Sequence, residues 1–574
     1  MFCAPHICRG AITIPIMKRI TFILALMLLT LAAQAQKHYS KNIDELRQPK
    51  LIVGLVVDQM RWDYLTRYAD HYVDGGFRRL MREGYNCNRT FINYIPSITA
   101  VGHTSVYTGS IPAITGIIGN YFYINREHTY CTRDTTVLGI GTCDKDGKPD
   151  TNTSAGKHSP RNLLVTTMTD QLRLATNFRS KTIGVALKNR ASILPAGHAA
   201  NAAYWMDDNS TNFITSTYYM KETPRWVKDF NARKQGEKYV KENLAIGNKR
   251  IKDGPWKLLY EEKSYEQSAK KEQVWEGTIG ETLKLSPWGT TITFDMARAA
   301  IEGENLGRNK EDVPDFLAIS ISSTDMIGHR VSPNSIWMED TYLRLDKDLA
   351  DFLSYLDQRV GEGNYLLFLT ADHGGSHNPT FRQEHHIPGD TWKGAIVEDE
   401  LNQALRSQFP SLTKKPVMSI LNMQVYLSDE ARSSRQADAI TTAAVNWLRQ
   451  RKEVAYVFPA NAVPDYVPEP IHTKVINGYN PQRSGDIQII FRSDLTEDYT
   501  SLDKLRDPSY IYKGTTHGLW NPDDTHIPLI FFGWNVPHGW DNRTHSITDI
   551  ATTVCALLNI QQPSGCIGTP IDFK

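Results

Sequence analysis

Six carboxylate and imidazole side chains stand at the ends of apolar runs or in glycine-containing turns. Asp58 closes LIVGLVVD, Asp325 and His329 lie in SSTDMIGH, Asp372 and His373 in LTADHGG, and His517 in KGTTHGLW. A lone Asp after a strand is more often a turn or cap residue, so the joint pattern carries the argument. Mixed carboxylate and imidazole ligands favour zinc over calcium or magnesium, and this many on one rim suggests two ions. Two divalent cations about 4 Å apart can clamp the attacking and leaving oxygens of an in-line phosphoryl transfer. Such chemistry needs a hydroxyl nucleophile, and the candidate is Thr99 in PSITAVGHTSVYTG, where a helix is expected to start. A metal would lower its hydroxyl pKa, and a helix N-terminus favours the anion under attack. Without the acids, a Thr capping a helix would be the simpler account.

These side chains meet only if the apolar runs lie side by side. Leu51 to Val57, Thr182 to Leu187, Phe316 to Ile321, Tyr365 to Leu369, Asp486 to Phe491 and Ile527 to Phe532 are short and bounded by polar or turn residues, as buried strands are. Helix-like stretches separate them, among them Asp340 to Arg359 and Ile547 to Leu558. The alternation predicts an α/β fold with a largely parallel central sheet and helices on both faces, in which ligands gather at the carboxyl ends of the strands. One catalytic domain over 36–574 is expected, with cap insertions at about 121–177, 204–287 and 380–484. The last contains its own helix-like segment, Glu430 to Arg451.

Together, TAVGHTS, TADHGG and the D-x-x-G-H of Asp325 to His329 resemble the alkaline phosphatase superfamily. The resemblance is closer to its phosphate-irrepressible, flavobacterial-type alkaline phosphatases with a threonine nucleophile, themselves related to type I phosphodiesterases and nucleotide pyrophosphatases. It runs from about Leu51 to the C-terminus. It implies an alkaline-phosphatase-like fold and two zinc ions, one held by Asp325, His329 and His517, the other by Asp58, Asp372 and His373. It further implies that Thr99 bridges to the second ion and attacks phosphorus, forming a phosphothreonine.

Asn120 in GIIGNYF, with Lys188 and Arg190 in ALKNRASILPAGH, resembles the phosphate ligands of the monoesterase subgroup. In an extended segment, positions two apart face the same side, so Lys188 and Arg190 are expected to reach one phosphate together. A guanidinium and an ammonium suit a dianionic monoester. The expected substrates are therefore small phosphate monoesters. The alternatives are a phosphodiesterase or nucleotide pyrophosphatase of the same superfamily, and a non-catalytic zinc- or phosphate-binding protein. No G-x-S-x-G, G-x-x-x-x-G-K-[ST] or H-E-x-x-H occurs, which removes serine-hydrolase, P-loop and zincin chemistry. The Cys/Ser-x-Pro-x-Arg of sulfatases is also absent.

With 64 basic and 63 acidic residues there is no electrostatic footprint for nucleic acid. Met17-Lys18-Arg19, the apolar run Ile20 to Leu31 and Ala33-Gln34-Ala35 have the order of a secretory signal. That run is short of the roughly 20 apolar residues a membrane span needs. A periplasmic or secreted protein without a membrane span in its mature form is expected, and its oligomeric state is open. Met17 is a candidate start. Cleavage after Ala35 removes Arg9, Lys18 and Arg19 and no acid, leaving 61 basic against 63 acidic residues. It also leaves five cysteines for an oxidising compartment, with Cys131–Cys143 and Cys555–Cys566 the local pairings to expect. N-terminal sequencing of the exported protein is expected to begin at Gln36; a product that keeps the apolar run would make it an anchor.

Overall fold

The computed structural model describes residues 48–244, 256–265, 278–512 and 514–573. The expected signal segment and its cleavage point at Ala35 lie outside them. At the centre is strand β1 (Leu51–Val57), whose seven residues are all buried. A strand covered on both faces and both edges has no use for polar alternation, and LIVGLVV has none. Around it the chain contributes β2 (Tyr85–Phe91), β3 (Thr182–Ala186), β4 (Ala202–Met206), β5 (Phe213–Ser216), β6 (Asp315–Ile321), β7 (Tyr365–Thr370), β8 (Leu529–Gly533) and β9 (Gly539–Ser546).

These lie in an 11-stranded sheet in the order β2-β8-β7-β1-β6-β3-β4-β5, with short strands at 526–527 and 139–140 at its ends and β9 beside β2. The middle, from β7 through β4, is parallel, whereas β8 runs antiparallel to both β7 and β2. The result is a mixed α/β fold whose large central sheet is mostly parallel.

Two expectations need correction. Of the expected strand Asp486 to Phe491, Ile487–Phe491 is a buried strand, but in a separate four-stranded sheet with 417–421, 424–427 and 454–459. That sheet has its own core, including Trp392, Leu401, Ile440, Leu448 and Ile489, so apolar content alone did not reveal which sheet the strand joins. The expected insertion at 204–287 begins inside the central sheet, because β4 and the antiparallel β5 extend it.

The expected disulfides are also not formed: Cys87, Cys131, Cys143, Cys555 and Cys566 are free thiols. Cys131 is buried with Ile117, Ile118 and Phe122, while the backbone of Cys143 is tied to the Asp207 carboxylate. Nearness in sequence did not bring those two sulfurs together.

Among the helices are α1 (Thr99–Thr108), α2 (Asn189–Ala196), α3 (Ser323–Val331) and α4 (Asp549–Leu557). Every residue of α1 is buried, which explains why TAVGHTSVYT shows no polar face. A Cβ at Gly102 would stand 2.1 Å from the Asp372 carbonyl oxygen, so glycine sets how closely α1 approaches the segment leaving β7. Gly102→Ala should lower the unfolding midpoint despite alanine's better helix propensity. Overpacking costs about 1–3 kcal/mol against a propensity gain of about 1 kcal/mol, and a thermal melt reads the sign.

Candidate active site

The sheet register places the chemistry. Val56 pairs with Thr370 and Val57 with Ile321, and the Asp58 amide donates to the Ile321 carbonyl at 3.1 Å. Asp58, Asp372 and the start of α3 therefore emerge on one rim. Asp325 sits in the first turn of α3 and His329 one turn later, on the same face. The antiparallel β8 starts where β7 ends, with Leu529 opposite Thr370. The loop preceding it brings His517 to the same rim.

Thr99 is the first residue of α1, with Ile98 in the capping position and no side-chain cap. Its hydroxyl is free of the capping duty that its place in the sequence would suit, and Oγ1 lies 3.2 Å from His373 Nε2. All three candidate imidazoles are held the same way. Nδ1 of His329, His373 and His517 lies 2.8, 2.9 and 2.8 Å from the carbonyls of Thr515, Gly374 and Ser97. A carbonyl can only accept, so each Nδ1 carries a proton and each Nε2 faces inward, the orientation that metal-ligating histidines have.

The inward atoms form two groups, Asp325 with His373 and His517, and Asp58 with Asp372 and His373, the ligand atoms of each within 4.8 Å of one another. His373 enters both because its ring stacks on His517 at 3.5 Å. His329 Nε2 approaches the first group at 3.1 Å from Asp325 Oδ1. Asp58 Oδ1 is buried and accepts no hydrogen bond. A buried anionic oxygen without a donor is costly, and the donor set fits divalent cations.

The electrostatics agree. Burial, with Asp325 and Asp372 nearby, holds the Asp58 carboxyl well above its usual range. Burial also acts to raise Asp325, but His329 and Lys188 outweigh it and hold that carboxyl well below. Burial and the neighbouring His373 push His517 well below the usual imidazole value, which keeps its lone pair available. The Lys188 ammonium, buried at the rim, lies 2.6 Å from Asp58 Oδ2 and also contacts Asp325 Oδ2.

Lys188 and Arg190 do not lie in an extended segment as expected. Lys188 is the residue before α2 and Arg190 is within the helix. Their side chains diverge, Lys188 to the carboxylates and Arg190 Nη1 to the Tyr130 hydroxyl at 3.0 Å. Arg190 Nε is buried without a hydrogen-bond partner. Asn120 Oδ1 accepts from the Ala100 amide at 3.1 Å, which fixes it to the start of α1 beside Thr99.

Sequence reasoning missed two partners. His103 lies 3.1 Å from Asp372 Oδ2 and 2.8 Å from Ser320 Oγ; its spacing of one helical turn from Thr99 was the available signal. Tyr130, on a hairpin of 121–124 with 127–130, had none, because only the fold brings it to Arg190.

Among known proteins, residues 52–520 match the type I phosphodiesterase / nucleotide pyrophosphatase family. The chain belongs to that family. It is 45% identical over 552 residues to alkaline phosphatase PafA of Elizabethkingia meningoseptica, covering 91% of this chain and 94% of that protein. It is 42% identical over 552 residues to alkaline phosphatase PhoV of Synechococcus elongatus, covering 91% and 92%. The crystal structure of wild-type PafA matches with a TM-score of 0.82 and 43% identity, covering 91% of this chain and 98% of that one. A solved PafA variant carries substitutions at a threonine, an asparagine, a lysine and an arginine, the first two 21 positions apart and the last two 2 apart.

For this member of the type I phosphodiesterase / nucleotide pyrophosphatase family, divalent cations should stabilise the fold. At 100 times its Kd a ligand adds about 2.7 kcal/mol, so metal-stripped protein should melt at a higher temperature once metal is restored. A variant with Asp58→Asn and Asp372→Asn should lose most of that gain. Equal gains in both proteins would place the cation elsewhere.

Proposed function

We propose that this chain is an exported two-zinc alkaline phosphatase, which hydrolyses phosphate monoesters to an alcohol and inorganic phosphate through a phosphothreonine on Thr99. The observation that carries the reading is the Thr99 hydroxyl 3.2 Å from Nε2 of His373, the imidazole common to both acid–imidazole groups. Sequence identity of 45% to PafA over almost the whole chain supports it. So does the matching spacing of Thr99 to Asn120 and of Lys188 to Arg190 to the positions replaced in the PafA variant. Export rests on the signal pattern before Gln36, and no described helix is long and apolar enough to cross a membrane.

In this reading Asp325, His329 and His517 hold one zinc and Asp58, Asp372 and His373 the other. When bound, the pair supplies the positive charge that acidifies the nucleophilic hydroxyl and stabilises the leaving oxygen. Thr99 Oγ1 attacks phosphorus in line, and the alcohol departs from the opposite side. Asn120, fixed to the start of α1, orients one nonbridging oxygen. Lys188 and Arg190 turn their donors to the others, and the helix N-terminus favours the accumulating negative charge. Water entering where the alcohol left then attacks the phosphothreonine, which returns the Thr99 hydroxyl and frees phosphate.

Thr99→Ala should lower kcat/KM for a phosphate monoester by roughly 10⁴-fold or more, as for removal of a covalent nucleophile elsewhere, with zinc content retained. Near-normal turnover would remove Thr99 from the role. Replacing Lys188 and Arg190 by Ala together should cost about 3–6 kcal/mol of monoester transition-state binding, at about 1.5–3 kcal/mol for each charge-assisted bond, and less on a matched methyl phosphate diester. Equal losses on both substrates would favour diester chemistry.

A further inference from the structure

Gln59, next to the candidate ligand Asp58, adopts φ +62°, a left-handed conformation that side chains other than Gly, Asn and Asp seldom take. In that conformation it reaches both acid–imidazole clusters. Its backbone amide donates to Asp372 Oδ1 at 3.2 Å, and its side-chain Nε2 donates to Asp325 Oδ1 at 2.7 Å. The residue is 4% exposed, and two motif glycines make room for it. A Cβ on Gly328, within SSTDMIGH, would stand 1.9 Å from Gln59 Oε1. A Cβ on Gly375, within LTADHGG, would approach Gln59 Cγ at 3.1 Å and Cδ at 3.2 Å. Two separate glycines thus open onto one amide side chain, and both come after candidate metal ligands in sequence.

We propose that Gln59 is a positioning residue that ties the two metal clusters together, its backbone holding Asp372 and its side chain holding Asp325. The proposal rests on the two-metal reading above. Hydrogen bonds to a ligating carboxylate set its orientation, and losing one typically weakens metal binding 10- to 100-fold. The two arms of Gln59 are separable. Gln59→Gly keeps the backbone amide on Asp372 and relieves the left-handed strain, while it removes the donor to Asp325. Relief of the strain offsets part of the cost of losing a buried side chain, and the variant should lose affinity at one cluster only.

The test is zinc stoichiometry and competition with a chromophoric chelator, run on the parent chain, Gln59→Gly, Gly328→Ala and the double variant. The parent is the control for the two-metal reading; fewer than two zinc ions per chain there would defeat that reading itself. With two bound by the parent, Gln59→Gly should release one ion roughly 10- to 100-fold more readily, with the other unchanged. Gly328→Ala pushes the amide away and should reproduce the selective loss. The double variant should then add nothing to either single change, the signature of one shared interaction. Unchanged release from Gln59→Gly, or equal weakening of both ions with a lowered midpoint, would overturn the proposal.

Discussion

The carboxylates of Asp58, Asp325 and Asp372 are withdrawn from water at one end of the central strands, and their mutual repulsion is the constraint to which the surroundings answer. Their residues are 0–2% exposed, and the one most burdened, Asp58, has its carboxyl pushed well above the usual range. Three negative charges at that depth are costly without compensating cations and donors. The compensation comes from several sides: the Lys188 ammonium between Asp58 and Asp325, His103 against Asp372, and Gln59 across the gap. The ordered Nδ1–carbonyl contacts of His329, His373 and His517 obey the same logic. Each ring is fixed so that its Nε2 faces the place where a cation would relieve the repulsion.

This arrangement depends on register more than on any single residue. A shift of β7 by one position against β1 would turn Asp372 to the other face of the sheet and dissolve the second cluster. Buried strands paired on both edges resist such slippage, and α1, held close by Gly102, closes the rim from above. The outer segments then hold Asn120 and Arg190, the residues proposed to meet phosphate. Asn422, from the separate four-stranded sheet, donates to the Tyr121 carbonyl directly after Asn120, and Tyr130 of the same hairpin holds both Asn189 and Arg190. Elements that the sequence shows only as insertions thus steady the groups that would meet substrate.

Much of this was legible because the site is built from strand ends. An apolar run followed by Asp, or by Asp-His, announces both the strand and the polar residue it must deliver, so Asp58, Asp325, Asp372 and His373 could be read locally. His517 was harder: it reaches the rim only because β8 runs antiparallel, and hydropathy carries no direction. The conformation of Lys188 and Arg190 was misread, since two cations spaced by one residue suit a strand or a helix start equally, and α2 begins there because Asn189 to Ala196 packs onto β3 and β4. Tyr130 and the second sheet were beyond local pattern altogether, as their roles rest on contacts across 60 or more positions.

Lys188 shows how charge compensation and substrate binding are linked here. Its ammonium has three donors, of which Asp58 and Asp325 take two, so that one is left for a phosphate oxygen. With the carboxylates as its only strong partners, leaving them would strand two buried anions, and the cost of that exceeds what a single bond to phosphate returns. Divalent cations held by the same carboxylates would remove that cost and free the ammonium to turn outward. Cation binding and phosphate binding would then favour each other, and by linkage the coupling would be the same in both directions. Arg190 also lies in the field of Asp58, but its hydrogen bond is to the Tyr130 hydroxyl, and its buried Nε has no hydrogen-bond partner to give up. In the proposed reading the two cations of the K-x-R segment would thus differ in degree, Arg190 with a buried donor already free and Lys188 with donors whose release depends on the charge of the clusters behind it.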